Sequence, residues 1–145
     1  MEGFFDAAAE RLRQRCPALL QVQTGMSRDL VETMTLSQEV SALVHPLSEA
    51  ADPVNHASLL VSQREAWVFG VMLALTYPGG FAEWEPAKAQ VKAALRGWTW
   101  EERLAQPVAY VGGATLQYSI AQDGGRWLFL MRFSLATRET YPHQT

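Results

Sequence analysis

The sequence predicts an α+β domain: a mixed, mostly antiparallel β-sheet with helices packed on one of its faces. In residues 126–135 every second side chain is large and apolar, which is the period of a strand with one buried face. A second alternating run, 114–120, is separated from the first by Gln122-Asp123-Gly124-Gly125, and Asp-Gly between alternating strands indicates a hairpin. The full order of predicted elements is helix, strand, helix, strand, long strand, helix and then two or three strands, which is typical of the α+β class. The apolar residues of the last strand are Trp127, Phe129, Met131, Phe133 and Leu135.

The N-terminal segment predicts a helix followed by a short strand. Within residues 1–15, Phe5, Ala8 and Leu12 recur at helical spacing, and the charged residues lie mostly off that stripe. Cys16-Pro17 ends the helix, because the residue before a proline is disfavoured in the helical region. Residues 19–23 form the predicted strand, which Gly25 stops.

The next segment predicts a helix, a strand and an exposed loop. Ser27 suits a helix N-cap, and the helix it begins would run through residues 30–34. Residues 40–47 alternate as a strand, with Pro46 near its end, where a missing N–H costs little. Residues 47–56 are small, acidic and turn-forming, which favours a loop.

Residues 57–77 are the longest strand-like run, with a bulky face on the odd positions and a slim face on the even ones. This length exceeds the usual strand of about five or six residues. We therefore expect a bend or bulge near Gln63-Arg64-Glu65, where the bulky face becomes polar.

The C-terminal half predicts one helix and three strands. Pro86 suits the first position of a helix that Gly97 ends. Residues 107–111 form a short predicted strand, and Gly112-Gly113 turns it into the hairpin of 114–120 and 126–135. The buried side of 114–120 is expected to carry Leu116, Tyr118 and Ile120.

Composition indicates one globular domain over residues 1–145. A net charge of −3 argues against a nucleic-acid binder, which would carry a basic face, and no apolar run reaches the length of a membrane span. The N-terminus lacks a basic region followed by a signal core, so we expect an intracellular protein at synthesis. Ten of the twelve cationic residues are arginines, which suits interface ion pairs, although a GC-rich genome explains this bias equally well.

No residue pattern predicts catalysis, a metal or a cofactor. Cys16 has no obvious base nearby and is expected to be a structural thiol. His45, His56 and His143 show no two-ligand spacing. The neighbouring carboxylates at 83/85 and 101/102 are expected to be solvated helix-flanking charges, and the glycine pairs do not fit a phosphate-binding loop. We therefore expect a protein that is not an enzyme.

The five tryptophans divide into two groups. Trp67 and Trp127 fall on bulky strand faces and are predicted core residues. Trp84, Trp98 and Trp100 flank a helix among charged residues, so we expect partial exposure. An interface role and a packing role are about equally favoured for these three, because exposed tryptophan is enriched at binding hot spots.

Several segments together resemble the tail terminator proteins of long-tailed bacteriophages. The resemblance covers roughly residues 18–135: an extended strand with a loop, a glutamine-containing long strand, a helix ending in Gly-Trp, a Tyr-x-Gly-Gly turn and an aromatic strand. The segments that carry it are His45-Pro46-Leu47-Ser48-Glu49, Val61-Ser62-Gln63, Leu95-Arg96-Gly97-Trp98, Pro107 to Gly113, and Trp127 to Ser134.

The resemblance implies a small structural α+β protein that assembles as a homo-hexameric ring. Such a ring caps the finished tail tube and presents the surface that joins the head, so the implied partners are further copies, the tail tube protein and the head–tail connector protein. The implied location is the head-proximal end of the virion tail, reached from the host cytoplasm. Contacts to tube or neighbour are then expected at Glu49, Asp52, Asn55 and His56 in the loop and at Arg64 and Glu65 on the long strand, and the segments 27–35 and 136–145 are alternative docking elements.

Two other classes of function stay open. One is another phage neck, connector or baseplate protein, which would form a different ring or dock as a monomer. The other is a small enzyme or ligand-binding module with a pocket between sheet and helices, for which Arg64, Tyr110 and Arg132 are the available polar residues.

Overall fold

The computed structural model describes residues 3–25, 40–51, 60–77, 81–100, 104–118 and 125–142. This part of the chain forms two helices and one five-stranded sheet, which confirms the predicted α+β class. The predicted helix after Ser27, the turn at 78–80 and the hairpin turn lie outside the described residues. The elements are α1 (Phe4–Arg15), β1 (Leu19–Thr24), β2 (Val40–Ala51), β3 (Leu60–Tyr77), α2 (Phe81–Leu95), β4 (Leu104–Tyr118) and β5 (Gly125–Pro142).

The strand order is β1-β2-β3-β5-β4, with β1 parallel to β2 and every other neighbouring pair antiparallel. Both helices pack on one face of this sheet, called here the first face, as predicted. α1 contributes Phe4, Ala8 and Leu12 to the main core, and α2 contributes Val91 and Leu95. The odd-numbered residues of β3 and β5 fill the sheet side of that core, so the alternation in the sequence identifies the first face correctly: Phe69, Val71, Leu73, Leu75, Trp127, Phe129, Met131, Phe133 and Leu135.

The Phe4 ring is central to the helix–sheet contact. Its centroid lies 5.2 Å from that of Phe69 and 5.5 Å from that of Trp98, and the side chain is fully buried. Aromatic contacts of this kind contribute about 0.5–1.5 kcal/mol beyond area burial. The helix ends where predicted, since Cys16 leaves the helical conformation and its N–H donates to the Leu12 carbonyl.

The expected bulge near Gln63-Arg64-Glu65 is wrong. β3 pairs with β5 from Leu60 to Tyr77 with no register shift, so β5 supplies backbone partners along the whole 18-residue strand. The irregularity lies instead on β2, between Pro46 and Ser48. A polar stretch of strand therefore needs no bend when a neighbouring strand keeps its backbone paired.

The expected loop at 47–56 is wrong for its first part. β2 continues to Ala51, with 48–51 exposed and paired antiparallel with 65–68 of β3. β5 is also longer than expected, because residues 136–142 of the predicted docking tail continue the strand to Pro142. Both extensions consist of residues with weak strand signals whose backbone groups are satisfied by β3.

α2 begins at Phe81, five residues before the expected start at Pro86. Pro86 therefore lies inside the helix, where it removes one backbone donor. Trp84, two residues before it, packs on Trp127 with ring centroids 4.7 Å apart. Gly97 ends the helix as predicted, with φ of 85° in the left-handed region.

β4 is one strand rather than a short strand plus a turn. Gly112-Gly113, predicted as a turn, lies within it at a register shift between Tyr110 and Gly112. Gly112 has φ of 148°, which favours glycine, and a Cβ at Gly113 would lie 2.7 Å from the Phe129 ring. These glycines mark a β-bulge and a close approach, which are the two usual reasons for glycine inside a strand.

The expected buried side of 114–120 is wrong for Leu116, whereas Ile120 lies outside the described residues. Leu116 is 52% exposed, while the Thr115 hydroxyl accepts a hydrogen bond of 3.1 Å from Trp127 Nε1 on the first face. A register shift between Thr115 and Gln117 makes Leu116 the extra residue of a bulge. The bulge shifts the alternation by one residue, so Thr115 is paired with Phe129 before it and Tyr118 with Trp127 after it, both on the first face.

The opposite side of the sheet, called here the second face, has its own apolar cluster. Its members lie in two adjacent cross-strand rows and are at most 6% exposed: Leu43, Met72, Ala74, Leu128 and Leu130. The sequence predicts small or polar residues on this face of β3, yet the face also carries large apolar side chains such as Leu43, Met72 and Leu130.

Candidate functional site

Three of the charged residues predicted as contacts lie near the end of the sheet at which β2 and β5 end and β3 begins. We call this region the sheet extension and define it as residues 48–51, 63–65 and 137–139. It contains Glu49, Arg64 and Glu65 of the predicted interface. Asp52, Asn55 and His56 of the same prediction lie outside the described residues.

The register of the sheet extension places two carboxylates side by side on the first face. Glu65 shares the odd positions of β3 with the core residues, and Glu49 is directly opposite Trp67, which packs against the main core. Because Ala51 is the partner of Glu65, Glu49 and Glu65 are diagonal neighbours, whose Cβ atoms are typically about 7–8 Å apart. They line a pocket of about 120 Å³ together with Ala50 and Ala51, called here the acidic pocket.

The second face of the same strands carries arginines. Arg64 is paired with Arg138, and Arg132 is paired with Gly70 on β3 and Gly112 on β4. Arg132 is half-buried between these two glycines, which offer no side chain to either flank. We call the second face around Arg132 the arginine face.

Unpartnered charge distinguishes both surfaces. Within the described ranges, no cation lies within ion-pairing distance of Glu49 or Glu65, and no acceptor lies within hydrogen-bonding distance of the Arg132 guanidinium. Arg13 and Glu10, both on α1, form an ion pair at 3.3 Å. The side chains of Glu49, Glu65 and Arg132 are therefore available to a binding partner outside the monomer. The sequence pattern places Arg132 on the side of β5 opposite the buried one, but it does not identify the residue as an interface residue. Its setting depends on Gly70 and Gly112, which belong to other strands and are not adjacent to it in the sequence.

His45 lies in the same cross-strand row as Arg132, on the far side of Gly70. Its ring reaches over that glycine, with Nε2 3.0 Å from the position of a Gly70 Cβ, and Nε2 is buried without a hydrogen-bond partner in the described part of the chain. Burial lowers the pKa of His45, and the contact between Nδ1 and the Pro46 carbonyl oxygen opposes this shift in part.

The three tryptophans proposed for an interface pack against the core. Trp100 is 8% exposed, so the expected partial exposure is wrong for this residue. Trp98 is half-buried, stacked on Phe4 and covered by the Arg11 guanidinium at 5.1 Å. Trp84 is half-buried within α2 and lies under the Lys88 ammonium at 4.7 Å. These contacts favour the packing role that the sequence left open. Of the two predicted core tryptophans, Trp127 is buried as expected and Trp67 lies half-buried at the edge of the core.

A second kind of surface consists of exposed apolar side chains at register irregularities. Four large apolar residues in the described part are more than one-third exposed, and each falls at a register shift of its strand: Leu20, Leu47, Val111 and Leu116. Val111 and Leu116 both lie on β4, an edge strand of the sheet. A bulge interrupts the regular alternation of side chains between the two faces. For this reason the sequence pattern does not predict that Val111 and Leu116 are exposed.

The residues suggested for a ligand pocket do not converge. Arg64 and Arg132 lie on the second face, whereas Tyr110 packs on Phe133 of the first face with Lys92 Nζ 4.4 Å from its ring centroid. Burial raises the pKa of Tyr110. A pocket of about 290 Å³ does lie beside the start of α1, and its lining has one charged side chain, Asp6: Gly3, Phe5, Asp6, Thr24, Gly25, Val44 and Pro46.

Cys16 is buried, and burial raises the pKa of its thiol to about 11. At neutral pH such a group is a thiol rather than the nucleophilic thiolate. Among the described residues no three metal-ligating side chains are grouped together. None of the helices in the described ranges has the length and apolar character needed to cross a membrane.

Comparison of the chain with protein-family models gives no match, and comparison with curated protein sequences gives none either.

Proposed function

We propose that this chain is a structural subunit of a bacteriophage tail, the terminator that assembles as a ring on the head-proximal end of the tail tube. The observation that carries the proposal is a pair of oppositely charged sites on the two faces of the sheet. Glu49 and Glu65 line the acidic pocket on the first face, Arg132 lies on the second, and none of the three has a charged partner among the described residues. A subunit of a closed ring needs two different lateral surfaces, because each copy meets one neighbour on either side.

The order of the elements supports the same proposal. The described chain contains the extended strand, the 18-residue strand, the helix that ends at Gly97 and the aromatic strand of the resemblance. One element differs, since the Tyr-x-Gly-Gly segment is a bulged strand rather than a turn. That change leaves the strand order intact.

A terminator acts by binding rather than by catalysis. The ring contacts the tail tube protein on one side, which ends tube growth, and the head–tail connector protein on the other. It has no substrate and no cofactor. It assembles in the host cytoplasm and remains in the virion tail.

The test is a tube-capping experiment with tail tubes of the virus that encodes the chain. Purified protein is added to growing tubes, and the particles are examined by electron microscopy. The proposal requires additional density at one end of each tube, the end that receives the head, and a tube length that stops increasing. Protein that leaves length unchanged and binds neither end would refute it.

The same images separate the proposal from its nearest alternative. A baseplate component would bind the opposite end of the tube. A connector would bind only tubes that already carry a terminator, so labelling of bare tubes excludes that class.

A further inference from the structure

We propose that copies of this chain associate head to tail, with the arginine face of one copy docked on the acidic pocket of the next. The inference rests on the proposed function in one respect, that the chain assembles with itself. It adds the identity of the two surfaces and the residues that join them, Arg132 on one side and Glu49 with Glu65 on the other.

The acidic pocket has the chemistry of an arginine receptor. Its two carboxylates are diagonal neighbours on one face, and Ala50 and Ala51 complete the lining of the pocket. A guanidinium presents its donors as a planar fork that matches carboxylate oxygens, and such charge-assisted bonds are about twice as strong as neutral ones. An arginine entering from outside would satisfy both carboxylates.

The arginine face has the complementary chemistry and an accessible shape. Arg132 is half-buried, and its β4 neighbour Gly112 leaves open space, since nothing lies within 4 Å of a Cβ placed there. Another surface can therefore approach the guanidinium from the Gly112 side, whereas His45 and Leu130 fill the space at Gly70. A docked apolar surface would leave the guanidinium buried and unpaired, which is costly, so the surface that covers Arg132 must be anionic.

The two surfaces cannot meet within one molecule, because they lie on opposite faces of the same hydrogen-bonded sheet. They can meet only between copies. Because each copy then contributes two different patches, the contact is heterologous and leaves one free surface of each kind for a further copy. A second copy of the chain is therefore the occupant that charge complementarity favours for both surfaces.

The experiment uses two charge-reversed proteins and their mixture. The first carries Glu49→Lys and Glu65→Lys, which reverses the acidic pocket only. The second carries Arg132→Glu, which reverses the arginine face only. The mass of each is measured by light scattering behind gel filtration over a concentration series. A matched control carries Glu85→Lys and Arg96→Glu, which reverse two exposed charges at the two ends of α2.

Like charges brought together across an interface are strongly unfavourable. We expect each reversed protein alone to require at least about tenfold higher concentration than wild type to associate. The equimolar mixture should associate again and grow beyond a dimer, because each reversed surface then meets its complement on the other protein. Raising the salt from about 0.05 M to about 0.5 M should weaken wild-type association, since exposed charges are screened. The α2 control should behave as wild type.

Three outcomes would overturn the inference. The first is wild-type assembly that both reversals leave unchanged. The second is a mixture that stays as dissociated as its two components, and the third is a wild-type chain that is monomeric at every concentration. In the first and third cases, capture by tail tubes would leave the proposed function standing, so failure of the docking mode and failure of the function are distinguishable. Circular dichroism of each variant excludes unfolding as the cause.

Discussion

Replacement of Gly70 by alanine tests how closely the second face is packed. Gly70 lies in the interior of β3, where glycine is ordinarily less favourable than alanine by about 0.5–1 kcal/mol for entropic reasons. A general rule therefore predicts that Gly70→Ala stabilises the protein. The structure predicts the opposite, because an added Cβ would lie 2.6 Å from Leu130 Cδ1 and 3.0 Å from His45 Nε2.

The magnitude follows from these two opposing effects. Forcing an extra methyl group into a packed site costs roughly 1–3 kcal/mol. With the entropic gain subtracted, we expect the free energy of unfolding to fall by about 1–2 kcal/mol. A chain of 145 residues has an unfolding entropy of about 0.3 kcal/mol/K, so the melting temperature should fall by about 3–6 °C.

The assay is urea unfolding followed by tryptophan fluorescence, at a concentration where the chain is monomeric. The midpoint should fall with an unchanged slope, as expected for a change in stability alone. Leu130→Val removes the atom nearest the new methyl group, so the double variant should be at least about 0.5 kcal/mol more stable than the sum of the two single effects. A neutral or stabilising Gly70→Ala, or strict additivity with Leu130→Val, would refute the packing argument.

Three further predictions concern other parts of the molecule. Burial lowers the pKa of His45 in the folded protein, so below the usual histidine pKa of about 6.5 the unfolded chain binds a proton more readily than the folded one. The free energy of unfolding should therefore decrease as the pH falls below about 6.5, by up to about 1.4 kcal/mol per pH unit. If the free energy of unfolding of wild type and of His45→Gln depended equally on pH below about 6.5, this prediction would be contradicted. Cys16, with a pKa of about 11, should resist alkylation at neutral pH until the chain is unfolded, so rapid labelling of the native protein would contradict its burial. Val111→Ser with Leu116→Ser should change the free energy of unfolding by less than about 1 kcal/mol, since both side chains are more than half exposed; a larger loss in the same urea titration would place them in the core.

The sequence correctly predicts those features of the fold that depend on a single strand or helix, such as which of its faces is buried and where it ends. The alternation in β5 identifies five core residues, and the stripe on α1 identifies its buried side, because each buries one face against a common core. Gly97 and Cys16 end their helices through local backbone preferences. These properties need no knowledge of which segments lie side by side.

The failures arise where a neighbouring strand decides the outcome. Residues 48–51 of β2 look like a loop, yet β3 supplies their backbone partners and keeps them extended. Gly112-Gly113 looks like a turn, but β5 continues past it and makes it a bulge. Register is a property of two strands together, so bulges at Leu47 and Leu116, and the exposure that they cause, cannot be derived from either strand alone.

In the candidate site too, the sequence predicts which residues are involved but not how neighbouring strands arrange them. Glu49, Arg64 and Glu65 were predicted as contacts from a resemblance, and the structure places all three in the sheet extension. The sequence could not show that Glu49 and Glu65 lie on one face and Arg64 on the other, or that Arg132 is paired with two glycines. Both facts depend on the register between four strands. The tryptophans were misleading, because cationic side chains cover two of their rings in the structure, Arg11 over Trp98 and Lys88 over Trp84.

The central claim is that this chain is a subunit of a closed ring, and the most direct test is the mass of the purified wild-type protein across a concentration series. Light scattering behind gel filtration should show one discrete assembly, six chains by the resemblance, that replaces the monomer as concentration rises and grows no further. A single monomeric species at every concentration, or open-ended growth without a limiting mass, would contradict the account.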